Sequence, residues 1–143
     1  MCIRILFLSF DYIYGKSNTM ENIVYKEKSY KIIGACMEVH TKLGFGLLEI
    51  LYKDALAIEF EMRGIPFERE KMFKVFYKSH ELPHAYNADF VVYGDIIIEV
   101  KAQKDIVDAW IKQTLNYVAI AKSPLGLIVN FGRESLQHKR LVL

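Results

Sequence analysis

Two runs of strand-forming residues on either side of a short turn limit the fold of this chain more than any other feature. The runs are YNADFVVY at 86–93 and IIIEVK at 96–101, and Gly94 and Asp95 separate them. β-branched and aromatic residues favour strands, and a short glycine-containing link joins antiparallel neighbours. We therefore expect a β-hairpin over residues 86–101.

The second strand of this hairpin ends in charged residues. Alternation along a strand places Glu99 and Lys101 on the same face as Ile97. A carboxylate and an ammonium group are costly to bury on so apolar a strand unless they have partners or a metal. Asp89 interrupts the first strand in the same way. These residues are the first indication of a functional site.

The register of the hairpin decides whether the two acids meet. A two-residue turn would pair Asp89 with Val100. A three-residue loop beginning at Tyr93 would instead place Asp89 directly opposite Glu99 on one face. We expect the three-residue loop, with Gly94 or a neighbour at positive φ.

With that register, one hard divalent cation could bind both acids. Magnesium or manganese fits two carboxylates best, and the backbone carbonyl of Val100 could supply a further oxygen ligand. Such an ion lowers the pKa of a bound water and stabilises the charge that develops on phosphorus during phosphodiester attack. Lys101 would position the water or neutralise the anionic transition state.

The remaining sequence predicts three helices and two further strands. Apolar residues recur at helical spacing in 25–40 and 47–63, and glycines break or end both segments. Asp105 can cap a third helix that runs to about residue 121. Strands are expected at 67–77 and 125–131, while the tail at 132–143 remains ambiguous.

This order of elements predicts an α/β fold with a mixed four-stranded sheet flanked by helices. The last strand returns through a helical crossover, so it should lie parallel to its neighbour. A chain of 143 residues that is 52% hydrophobic has material for one compact domain. We place that domain at 20–143 and interpret residues 1–19 as an upstream extension, with Met20 as the biological start.

Composition says more about the cellular environment of the protein than about its binding partner. The net charge of +2 neither demonstrates nor excludes a nucleic-acid partner. Cys2 and Cys36 form no CxxC pair or disulfide framework, which fits a reducing cytoplasm. The apolar run at 1–10 is too short to span a bilayer, so we expect no membrane contact.

Asp89 followed by Glu99-Val100-Lys101 on the next strand resembles the D…ExK signature of the PD-(D/E)XK nucleases. The proline of the family name is absent, because Ala88 precedes Asp89. The resemblance implies a restriction-endonuclease-like fold, catalytic roles for the acids and the lysine, and a magnesium- or manganese-dependent activity. Taken alone, an acid-x-Lys triplet also occurs on solvated strand ends.

The segment GLLEILY at 46–52 matches the Gly-x-x-Glu-x-x-Tyr pattern of one branch of this superfamily, the GxxExxY proteins. Glu49 and Tyr52 lie three apart and project from one side of a helix near its start. The resemblance implies that Glu49 is a catalytic residue that reaches the metal, and that Tyr52 contacts substrate. An acid favoured by the helix dipole is the other interpretation of Glu49.

Gln113 and Tyr117 resemble the Gln-x-x-x-Tyr element of the RecB-like nucleases in the same superfamily. A spacing of four stacks them on one helical face, in a row with Ile106 and Trp110. The resemblance implies that both residues face the active site or the substrate backbone. A glutamine at the edge of the core, bonded to backbone, is the alternative.

Two other groups of residues carry weaker signals. His80 and His84 have Pro83 between them, which excludes the regular helix that a two-histidine zinc face requires. Four cations in or just after the first predicted strand could contact phosphates, although a solvated strand face is the commoner explanation. These cations are Arg69, Lys71, Lys74 and Lys78.

The leading hypothesis is a divalent-metal-dependent nuclease, and DNA is expected as its substrate in preference to RNA. The alternative is a nuclease-like fold that has become a catalytically inactive module for nucleic acid or a protein partner, since fold does not guarantee activity. A purely structural α/β protein is the third interpretation, and a homodimer is left open.

Overall fold

The computed structural model describes residues 19–143, with side chains from residue 25 onward. The predicted extension therefore lies outside the described residues, except for residue 19. Three helices are present in this part of the chain: α1 (Thr19–Leu43), α2 (Glu49–Met62) and α3 (Asp108–Ala121). The strands are β1 (Phe67–Phe73), β2 (Phe76–Tyr77), β3 (His80–Glu81), β4 (Tyr86–Val92), β5 (Ile96–Lys101), β6 (Leu125–Asn130) and β7 (Gln137–Leu141).

Five of these strands form one mixed sheet in the order β1-β4-β5-β6-β7. Neighbours run antiparallel except β5 and β6, which are parallel and joined through α3. The predicted α/β class and parallel last crossover are confirmed. The sheet has five strands instead of four, because β7 arises from the ambiguous tail, and the predicted strand at 67–77 divides into β1 and part of the small β2-β3 hairpin.

α1 and α2 cover one face of the sheet and contribute to its main hydrophobic core. Ile32, Cys36 and Val39 repeat at helical spacing along α1, and all three are buried against the sheet. Leu56 and Phe60 do the same for α2. On α2 the apolar Ile58 and Met62 are exposed, so its buried side runs through Leu56 and Phe60 instead. This packing fixes α2 over the hairpin.

α3 lies on the opposite face. Leu115 packs with Ile128 of β6, and a Cβ on Gly126 would clash with the Val118 side chain, so helix and strand approach closely there. The helix begins at Asp108, with Val107 at the N-cap position.

The predicted cap of α3 was wrong. Asp105 lies outside the helix, and its carboxylate accepts a hydrogen bond from the Arg133 guanidinium at 2.8 Å. This exposed ion pair joins Asp105 to the loop between β6 and β7.

β5 occupies the centre of the sheet, between β4 and β6. Its residues 96–100 are buried, because helices cover both faces. Its carboxyl end carries Glu99 and Lys101, so the fold brings the charged end of the hairpin to the boundary between core and solvent. Within residues 19–143, no helix combines the length and apolarity needed to cross a membrane.

Candidate active site

The hairpin has the register that brings the two acids opposite each other. Phe90 pairs with Ile98, and residues 93–95 form a three-residue loop whose first two members have φ of 55° and 83°. The same register, continued by one residue, places Asp89 opposite Glu99. The predicted loop length and positive φ are confirmed.

β4 and β5 separate just at Asp89. The ladder ends at Phe90, and the Asp89 carboxylate accepts the Val100 N–H through Oδ2 at 2.8 Å in place of a backbone carbonyl. On its other side, β4 lacks a ladder pair between Asp89 and Glu70, which has φ of 54° in the middle of β1. The strand pairing of β4 with both of its neighbours is therefore interrupted at Asp89.

The interruption changes which face the side chains of β4 occupy. Phe90 and Val92 pack into the core under α1 and α2, whereas Tyr86 and Ala88 pack with Tyr117 of α3 on the other face. Regular alternation would put all four even-numbered side chains on one face. The irregular position at residue 89 thus brings Tyr86 to the side of Glu99.

Glu99 is a buried acid with 7% of its surface exposed. The Tyr86 hydroxyl donates a hydrogen bond to its Oε1. Burial, followed by the charge of Asp89, raises the pKa of Glu99 well above its usual range, while the Tyr86 hydrogen bond and the charge of Lys101 act in the opposite direction. The two carboxylates therefore lie close enough to repel each other.

Lys101 lies beside these acids at the end of β5. Its Nζ is 5.1 Å from the centroid of the Trp110 ring, so α3 supports the ammonium group from one side. Its charge opposes the rise in the pKa of both Glu99 and Glu49. The structure thus brings the predicted aspartate, glutamate and lysine together.

Glu49 is the first residue of α2 and is half-buried. Burial raises the pKa of its carboxyl group first, and the charge of Asp89 contributes next, although a helix N-terminus would favour the charged form. This acid is therefore within electrostatic range of Asp89.

Tyr52 does not lie where the sequence predicted. Its side chain is completely buried and stacks on Phe131, with ring centroids 4.7 Å apart. Its hydroxyl donates to the Gly44 carbonyl at 2.7 Å and accepts from the Leu47 N–H. This placement argues against a contact with substrate and gives Tyr52 the role of holding the loop that starts α2.

Gln113 and Tyr117 lie along the helical face that borders the site. Tyr117 stacks on Tyr86 at 3.6 Å between ring centroids, and the charges of Glu99 and Asp89 contribute, after burial, to a raised pKa of its hydroxyl. Gln113 is exposed and lies between Trp110 and Tyr117 on this face. Both predicted residues are therefore on the side of α3 nearest the acids.

Lys53 and Tyr86 belong to the site but were not expected from the sequence. Lys53 is buried, and its Nζ donates to Asp89 Oδ1 at 2.9 Å. Its position one turn after Glu49 was the available signal. Tyr86 offered no comparable signal, because only the break at residue 89 turns its hydroxyl toward Glu99.

Three of the four cations in the predicted stripe along and after β1 form ion pairs with neighbouring acids. Arg69 contacts Asp54 at 2.7 Å, Lys71 contacts Glu68 at 3.0 Å, and Lys74 contacts Glu81 at 3.0 Å. These pairs are exposed or half-exposed, which is typical of a solvated strand face.

The residues present fit a hard divalent cation in their chemistry. Asp89 and Glu99 are two adjacent oxygen donors whose mutual repulsion a cation would relieve. In the described part of the chain, no three His, Cys, Asp or Glu side chains already form a metal-binding group. The acid pair is therefore the core of the candidate metal site, with Glu49 as the neighbouring acid.

The fold and the site define a nuclease-like α/β domain, with an acid pair and a lysine at the carboxyl end of the central strand. The chain belongs to the PD-(D/E)XK nuclease superfamily, since a family model with that description matches residues 26–141. Neither a curated protein nor a solved structure gives a significant match.

Proposed function

We propose that this protein is a divalent-cation-dependent nuclease that hydrolyses phosphodiester bonds, with DNA as the substrate. The observation that carries the proposal is the convergence of Asp89, Glu99 and Lys101 where β4 and β5 separate. Membership of a nuclease superfamily supports the interpretation of this arrangement as an active site in preference to a structural ion cluster.

Asp89 and Glu99 would hold magnesium or manganese, with Glu49 as a further acid. The Val100 carbonyl is a fourth candidate, because its N–H points toward Asp89 and the N–H and C=O of one strand residue point the same way. When bound, the cation would lower the pKa of a water molecule and stabilise the charge on the phosphate.

The protein's own groups would prepare the site for a phosphodiester. Lys101, held against Trp110, places a positive charge where negative charge grows in the transition state. Tyr86 orients the Glu99 carboxylate through its hydrogen bond. Gln113 is exposed on the adjoining helical face, so its amide could contact the substrate backbone.

We also assign the chain to the GxxExxY branch. The support is the GLLEILY motif, the position of Glu49 beside Asp89, and the buried tyrosine that closes the turn of the motif. In this arrangement the glutamate of the motif would act as a further acid of the site, and its tyrosine holds the loop before α2.

One observation favours the alternative, a catalytically inactive module that binds nucleic acid or a protein. Both oxygens of Asp89 already accept hydrogen bonds, one from Lys53 and one from the Val100 N–H. An acid that is internally satisfied can persist without a metal.

The test combines metal binding with cleavage. Calorimetric titration with magnesium and with manganese is compared with cleavage of single-stranded DNA, double-stranded DNA and RNA. The variants are Asp89→Asn, Glu99→Gln and Lys101→Met. Glu134→Gln, an exposed acid in the loop before β7, is the matched control.

We expect the two acid variants to bind metal at least about tenfold more weakly and to lose cleavage. Lys101→Met should keep metal binding but cleave roughly a hundredfold more slowly, because it removes only charge stabilisation. Metal binding without cleavage by the unmodified protein would favour the inactive module. Unchanged metal binding in both acid variants would show that the site is assigned to the wrong residues.

A further inference from the structure

Lys53 is a buried lysine placed among acids. Its residue surface is 8% exposed, and its Nζ lies 2.7 Å from Glu70 Oε1 and 2.9 Å from Asp89 Oδ1. A lysine is rarely buried to this extent unless its charge is paired. The ammonium group therefore bridges α2 to two strands of the sheet.

Glu70 reaches this lysine from an unusual backbone position. It has φ of 54° in the middle of β1, at the register position opposite Asp89. A non-glycine residue in this region costs on the order of 1 kcal/mol and persists only where its surroundings require it. Here the conformation directs an exposed carboxylate to the buried ammonium group.

These groups form one electrostatic unit, which we call the acid cluster. Its members are Glu49, Glu70, Asp89, Glu99, Lys53 and Lys101. When all four acids are ionised, four carboxylates and two ammonium groups leave a formal charge of −2, which one divalent cation would neutralise. Replacing either lysine by a neutral residue would leave −3.

We propose that Lys53 is the resident counter-cation of the acid cluster and competes with a divalent cation for Asp89. Glu70 is the partner that retains the ammonium group when the cation binds. The identity of the cation rests on the proposed function. The physical reason is that an ammonium group and a divalent cation on the same carboxylate repel each other, more strongly in a partly buried site than in water.

Lys53→Met tests the competition, because it keeps the length of the side chain and removes its charge. In calorimetric titrations with magnesium and with manganese, we expect about tenfold or more tighter binding than in the unmodified protein. Without metal, the variant should unfold at a lower temperature, since the acids have lost a counter-cation. Added metal should raise its unfolding midpoint more than that of the unmodified protein.

Glu70→Gln provides a second test that replaces no buried residue, since the Glu70 side chain is 51% exposed. With its other partner lost, Lys53 should bind Asp89 more firmly, so metal affinity should fall. Glu68→Gln removes another exposed acid of β1, one that pairs with Lys71, and should leave metal affinity unchanged.

The competition would be overturned if Lys53→Met bound metal no more tightly than the unmodified protein. It would also be overturned if Glu68→Gln lowered metal affinity as much as Glu70→Gln. If neither the unmodified protein nor Lys53→Met binds metal, both the competition and the metal dependence fail. Cleavage assays separate the two proposals. If Lys53→Met binds metal more tightly but the unmodified protein does not cleave DNA, the counter-cation is supported and the nuclease is rejected. If Lys53→Met binds metal as the unmodified protein does and the unmodified protein cleaves DNA, the nuclease is supported and the counter-cation is rejected.

Discussion

Tyr86 links the aromatic groups beside the site to the acid pair. Its ring stacks between Phe73 and Tyr117, and its hydroxyl donates to Glu99. The ring is held by packing and the hydroxyl by a charged acceptor, so the side chain has little freedom to turn away. The Glu99 carboxylate thereby acquires a fixed orientation beside Asp89.

Tyr86→Phe should therefore keep the fold and weaken the activity. The ring contacts remain, so we expect a small change in the unfolding temperature, whereas losing a hydrogen bond to a charged group should slow DNA cleavage by roughly tenfold or more. Cleavage kinetics and thermal unfolding measure the two effects. Tyr77→Phe, at an exposed tyrosine, should change neither, and full activity in Tyr86→Phe would show that Glu99 needs no orientation from this hydroxyl.

The ends of β5 and β6 are joined by the completely buried Asn130. Its Oδ1 accepts from the N–H groups of Gln103 and Gly132 at 2.9 and 3.2 Å. Its Nδ2 donates to the Gln103 carbonyl and to Gln137 Oε1 at 2.8 and 3.0 Å. This amide ties the loop after Lys101 to β6 and β7, so it supports the end of the strand that carries the lysine.

Asn130→Asp should be strongly destabilising. The substitution removes both donors and buries a charge, which we expect to cost about 3 kcal/mol or more of the free energy of unfolding. Urea unfolding of the variant and of the unmodified protein measures this difference. Asn116→Asp, at an exposed position of α3, makes the same chemical change and should cost little; equal losses in the two variants would contradict the assigned role.

The stability of the molecule as a whole rests on the core between the helix pair and the sheet, and Cys36 is a member of that core. The thiol is completely buried, and burial raises its pKa to about 12. In the unfolded chain the thiol is exposed and ionises near its ordinary pKa of about 8.5. Above that pH the unfolded state binds fewer protons than the folded state.

The free energy of unfolding should therefore fall as pH rises from about 8.5 toward 12, by roughly 2 kcal/mol at pH 10. Below pH 8 this contribution is fully present. Urea unfolding from pH 7 to 10.5 would be compared between the unmodified protein and Cys36→Ala, which lacks the thiol. The difference between the two proteins should shrink as pH rises, and a constant difference would contradict the prediction.

The elements and the central hairpin could be predicted from the sequence because their causes are local. Steric preferences of neighbouring residues select helix or strand, and the loop between β4 and β5 sets their register. The position of Asp89 opposite Glu99 follows from that register. The family signature then indicated what such an acid pair does.

The composition of the site beyond this pair was decided by tertiary structure. Lys53 meets Asp89 only because α2 packs over the sheet, and Glu70 joins them only because β1 breaks its pairing there. Tyr86 reaches Glu99 because β4 changes face at the same point. Such contacts depend on where separate elements come together, and periodicity within one segment carries no information about that.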